Sequence, residues 1–168
     1  MSEIQQPSSA PQAQVQVQAS NPDAGDGAGH GDSRPGGAAP SATLYARLGG
    51  VYSIAAVIDD FIDRIMTDPA LNKNPLVDEA HHRVSRAGFK YLVTEMVCWA
   101  TGGPQRYSGR AMRESHVHLK ITPDEWEAFL LDLHATLDKF GVPERERGEI
   151  LAIVESTRPD IVTDSVSA

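Results

Sequence analysis

Cysteine occurs once in the 168 residues, at Cys98, so no disulfide can form within the chain. Basic residues are the minority: 15 Lys and Arg stand against 23 Asp and Glu, giving a net charge of -8 and a pI near 5.1. Nucleic acid and anionic membrane would both repel such a surface, so neither is expected as a partner. No apolar run approaches a membrane-spanning length, and the first residues lack the basic start and apolar core of a secretory signal. The expected compartment is therefore the cytoplasm. Strand-like alternation and internal repeats are also missing. Aromatic residues make up only 6% of the chain, and residues 1–42 contain none. That stretch of Gln, Ser, Ala, Pro, Gly and Asp has too little apolar surface to offset its ordering entropy, and it reads as a disordered tail. One domain is expected over residues 43–168.

What is present is helical periodicity. Leu44, Tyr45 and Leu48 suit a brief helix stopped by Gly49 and Gly50. Val51, Ile54, Ile58, Phe61, Ile62 and Ile65 fall at the three-and-four spacing of an amphipathic helix, which Asp68-Pro69 ends. Residues 69 to about 79 hold two prolines and read as a connector. A second long helix is predicted from about Glu79 to Ala100, with Val84, Tyr91, Leu92, Val93, Met96, Val97 and Trp99 forming a broad apolar surface. Cys98 reads as a small buried hydrophobe, and Trp99 and Trp126 as core packing. Thr122-Pro123-Asp124-Glu125 carries a cap, a first-turn proline and a capping box, and so starts a helix bearing Trp126, Phe129, Leu130, Leu133, Leu137 and Phe140. Gly141-Val142-Pro143 closes it, and a last helix is predicted from about Glu144 to Thr157 with Ile150, Leu151 and Val154 inward. The fold class is all-α.

Between the second and third long helices lies the stretch from Gly102 to Thr122, in the pattern GGP-x2-Y-x-G-x2-M-x3-H-x4-IT. Spacing alone would leave His116 an ordinary, partly exposed histidine. The pattern, however, resembles the proximal side of the haem pocket in truncated haemoglobins. Three further motifs fall in family order: LY-x-R-L-GG from Leu44, DF-x-D-R-I-x-x-D from Asp60, and the G-V-P before the final helix. The resemblance is closest to group I and covers about Thr43 to Val162. It implies a 2-on-2 helical sandwich, haem b (iron protoporphyrin IX) as cofactor, and His116 as the proximal iron ligand. It further implies a diatomic gas ligand, O2, NO or CO, and allows a reductase partner. Phe61, Ile62, Phe89, Leu92, Val93, Met112 and Phe129 are the expected pocket wall, with Tyr107 and Arg110 fixing the loop or meeting a propionate. Residues 116 and 118 are about 200° apart on a helix, so both cannot face the haem, and His118 should meet solvent or a haem propionate.

The chain departs from the group I pattern on the distal side. The family's tyrosine position reads Ile62, and its polar positions on the long distal helix fall on Phe89, Leu92 and Val93. An apolar distal pocket with weak dioxygen stabilisation is expected, unless Tyr91 or Thr94 supplies a hydroxyl. The family's phenylalanine before the distal helix is replaced near Asn74-Pro75, and the connector is longer. His81 and His82 follow it, and either is a candidate second axial ligand. Rival readings are a six-coordinate electron-transfer protein, a gas sensor acting through the tail, and a haem-free helical module holding zinc or a protein partner. Nitric-oxide dioxygenation is allowed by the family but poorly served by an apolar distal side.

Overall fold

Side-chain caps from Thr43, Asp68, Asn74, Ser85 and Thr122 open five of the described helices. The computed structural model describes residues 42–163, so the tail expected over 1–42 lies outside the described residues apart from Ala42. Among the described residues are α1 (Leu44–Arg47), α2 (Gly50–Thr67), α3 (Pro69–Asn72), α4 (Pro75–Arg83), α5 (Arg86–Ala100), α6 (Met112–His116), α7 (Pro123–Lys139) and α8 (Glu144–Ile161). A 3-10 turn, Val117–Leu119, follows α6 directly. The only strand-like pairing among them is an isolated parallel bridge between Ile121 and Val162, beside which Thr163 N–H donates to the Ile121 carbonyl at 2.8 Å.

The helices pair in two antiparallel couples. Near the end of α2, Asp59 and Asp63 meet Lys90 and Arg86 at the start of α5. In the second couple Trp126, at the start of α7, donates from Nε1 to Glu155 near the end of α8 at 3.3 Å, while Asp138 at the far end meets Arg147 at 2.6 Å. The couples touch where α2 packs on α7, through the Phe61 and Phe129 rings and an Asp60 carboxylate that joins Arg64, Thr136 and Lys139. The core runs through this crossing and includes Ile54, Ile58, Phe61, Ile62, Ile65, Leu133 and Leu137.

Helix α1 is sewn to the end of α5. Tyr45 N–H donates to the Thr101 carbonyl at 2.8 Å, and the Tyr45 hydroxyl accepts from Val51 N–H at 3.1 Å and Gln105 Nε2 at 3.4 Å. The tyrosine ring lies close over Gly103, where a Cβ would stand only 2.6 Å from it, so glycine is needed there.

The structure corrects several expectations. The connector is helical, because Asp68 and Asn74 each cap a helix whose first residue is proline; these prolines start helices where they read as breakers. The long helix expected over 79–100 is two. Val84 is extended, with ψ 144°, and the Ser85 hydroxyl accepts from Gly88 N–H at 3.3 Å, opening α5. Trp99 is 59% exposed, since Cys98 beside it takes the fully buried position. Helix α8 also runs four residues past Thr157, with Pro159 in its last turn.

Candidate functional site

His116 ends α6, a short helix packed mainly on α8 and on the 3-10 turn that follows it. The loop before it is held tightly. Ser108 donates from both Oγ and N–H to Glu95, and the Tyr107 ring lies so close over Gly109 that a side chain there would displace it. The His116 ring is partly buried, and its Nδ1 lies 2.8 Å from the Met112 carbonyl one turn back. A carbonyl can only accept, so Nδ1 carries the proton and Nε2 keeps its lone pair. Burial lowers the pKa of this imidazole below 6.5 and the nearby His118 adds to that, against the raising effect of the Met112 bond. The ring is a neutral, oriented Lewis base. His118 is exposed.

A wall of apolar side chains comes from α2, α5 and α7. Ile62 is 0% exposed and Phe61 is buried. Phe61 meets Phe129 edge-on at 5.3 Å between ring centroids, and Phe129 stacks on Trp126 at 5.2 Å. On α5, Phe89, Leu92, Val93 and Met96 follow the spacing i, i+3, i+4, i+7 and form one partly buried stripe. Phe89, Val93 and Phe129 pack against the core that contains Phe61 and Ile62. Met96, already part of the broad apolar surface legible in the sequence, is the fourth member of this stripe.

The bacterial-like globin family model matches residues 43–163, nearly the whole described domain. The chain belongs to that family. A group 1 truncated haemoglobin of Synechocystis is 33% identical over 116 residues, covering 66% of this globin and 88% of the relative. The group 1 protein of Tetrahymena thermophila is 26% identical over 121 residues, covering 70% and 93%. A Synechococcus 2/2 haemoglobin, solved in the cyanomet state with covalently attached haem, is 25% identical with a TM-score of 0.62, covering 72% of this globin and 98% of that chain. Tetrahymena pyriformis truncated haemoglobin in its Fe(III) form superposes with a TM-score of 0.63 at 24% identity, covering 73% and 100%, and speaks to the fold. The fold is the all-α, 2-on-2 sandwich of truncated globins, and haem b is the family's cofactor.

The globin's own side chains fit that cofactor. They offer a neutral imidazole with a free Nε2 and an apolar wall carrying no charged group. Among the described residues no group of three or more His, Cys, Asp or Glu could hold a metal ion, so the zinc-module reading finds no ligand cluster. His81 is partly buried and its Nδ1 is held 2.7 Å from Asn72 Oδ1, while His82 is exposed with Nδ1 on the Asp78 carbonyl at 2.8 Å. Arg110 is exposed, 3.9 Å from Glu114, and Met112 is partly buried at the start of α6. Neither alternative hydroxyl is free: Tyr91, 61% exposed, donates to Glu95 at 2.6 Å, and Thr94 donates to the Lys90 carbonyl at 2.7 Å. Two surface concavities lie elsewhere, one of about 410 Å³ beside Tyr52 and Tyr91 and one of about 530 Å³ beside Trp99 and Tyr107. Neither includes His116. No helix among the described residues is long and apolar enough to cross a membrane.

Proposed function

We propose that this globin binds a diatomic gas, with His116 as the single protein ligand to the iron and an apolar distal wall. The observation that supports it is the bond from His116 Nδ1–H to the Met112 carbonyl, which fixes the tautomer and aims a basic Nε2 away from its own helix. Haem supplies an iron with one coordination position for the histidine and another for the gas. Everything else falls to the chain. His116 stays neutral because burial disfavours its cation. Met112 orients the ring. Phe61, Ile62, Phe89, Leu92, Val93, Met96 and Phe129 exclude water and offer no hydrogen-bond donor to the gas.

Dioxygen becomes partly negative when bound and gains most from a donor, so lacking one costs about 1.5 to 3 kcal/mol, roughly ten- to a hundredfold in affinity. Carbon monoxide, less polar, loses less. Gas binding with ready oxidation to the ferric state is therefore preferred over nitric-oxide dioxygenation, which needs dioxygen to be retained. A reductase is the protein partner this chemistry calls for. Residues 43–168 form the binding domain in this reading.

The test is the visible spectrum of protein purified with haem available, ferric and then reduced, with and without His116→Ala. A Soret band with a high-spin or water-bound ferric form, lost or strongly weakened in H116A, is expected. A low-spin ferric form without added ligand would overturn the open-site reading, and its loss in a variant lacking both His81 and His82 would assign the second ligand to one of them.

A further inference from the structure

We infer that Asn74 is a positioning residue for His116, acting through the backbone three residues beyond the histidine. The inference rests on the proposed ligation by His116. Asn74 sits in the stretch where the chain departs from the group I pattern, just before α4, and its side chain faces two ways. Its Oδ1 accepts from Leu76 N–H at 3.0 Å and caps α4. Its Nδ2 donates to the Leu119 carbonyl at 3.0 Å and to Glu125 Oε2 at 3.3 Å. The amide orientation is forced by its neighbours, since an N–H needs the oxygen and a carbonyl and a carboxylate need the nitrogen. Both Nδ2 hydrogens are used.

The Leu119 carbonyl closes the 3-10 turn that begins immediately after His116. Beyond it Lys120 takes a left-handed conformation, φ 51°, which turns the chain toward α7. The same Glu125 oxygen accepts Thr122 N–H at 2.7 Å and completes the capping box of α7. Asn74 therefore bridges the start of α4, the end of the histidine turn and the start of α7. On the opposite side the Thr163 N–H bond to Ile121 holds the same segment to the chain after α8. With Asn74 in place, the backbone that carries the imidazole is pinned from both flanks, so the Nε2 direction is set before any cofactor arrives. Met112 fixes the tautomer and Asn74 fixes the platform.

The discriminating variant is Asn74→Ser. Serine caps a helix about as well as asparagine but is too short to reach Leu119 and Glu125. A residue that merely caps α4 would make this change silent. As a positioning residue, N74S should release haem to excess apomyoglobin roughly two- to tenfold faster, the range expected from losing the bond to the Leu119 carbonyl, which is the one of the two that acts on the histidine turn. It should also shift or broaden the iron–histidine stretching band in the resonance Raman spectrum of the reduced protein and speed amide exchange at residues 117–122. Far-ultraviolet circular dichroism should stay unchanged. Glu125→Gln, which keeps an acceptor for Asn74 and Thr122, should behave like the unmodified protein. Unchanged haem release and an unchanged band in N74S would overturn the inference. The same spectrum separates the two readings: no iron–histidine band in the unmodified protein removes His116 as ligand and this inference with it, whereas a band that is lost in H116A and indifferent to N74S removes only the role of Asn74.

Discussion

Ile62 is the residue on which the proposed gas chemistry turns. It is fully buried in the core that α2 shares with α7, next to Phe61 in sequence. Ile62→Tyr should place a hydroxyl where none exists and slow dioxygen release about ten- to a hundredfold, measured by stopped-flow displacement with carbon monoxide. The extra volume should also cost about 1 to 3 kcal/mol of stability, because the site is already close-packed. His81 supplies a pH dependence of its own. Burial is the main cause that holds it below 6.5, with Asp78 opposing and His82 assisting. A depressed folded-state value means that, on acidification, the unfolded chain takes up protons first. The stability concerned is complete above pH 6.5 and drains away as pH falls through the folded-state value. Thermal midpoints recorded from pH 8 downward should therefore stay level and then fall below about 6.5, with a shallower fall in His81→Gln.

The helices show what a sequence can and cannot disclose. The start of α7 was legible because three local signals coincide, and the structure contains the full reciprocal cap between Thr122 and Glu125. Thr122→Ala should cost about 1 kcal/mol, a drop of roughly 4 °C in melting midpoint by calorimetry. The break between α4 and α5 was not legible. Neither proline nor glycine marks Val84-Ser85, and a serine cap is visible only once its hydroxyl has found Gly88 N–H. Proline misled in the other direction at Pro69 and Pro75, where a preceding Asp or Asn made it a helix starter. The site followed the same division. Motif order points to His116, and the family register counted back from Gly102 points to Phe89, Leu92 and Val93; both belong to the proposed site. The bonds of Asn74, which join residues 45 and 51 positions apart, depend on how separate helices meet and have no local signature.

For the whole molecule, a two-couple architecture confines the cofactor contacts proposed here to residues beyond Thr43. A chain beginning at residue 43 should thus keep the Soret maximum and melting midpoint of the full protein, compared by absorption and calorimetry. The seam between α1 and α5 carries a further consequence, in time. Tyr45 reaches Gln105 across 60 positions of sequence, one of the longer closures in the domain, and it does so through a single hydroxyl shared with the first turn of α2. Such a closure is expected to form after the helix couples have condensed, late on the folding route. Tyr45→Phe should then leave the refolding rate nearly untouched and quicken unfolding severalfold, so that this one oxygen governs how long the native state persists more than how fast it is reached.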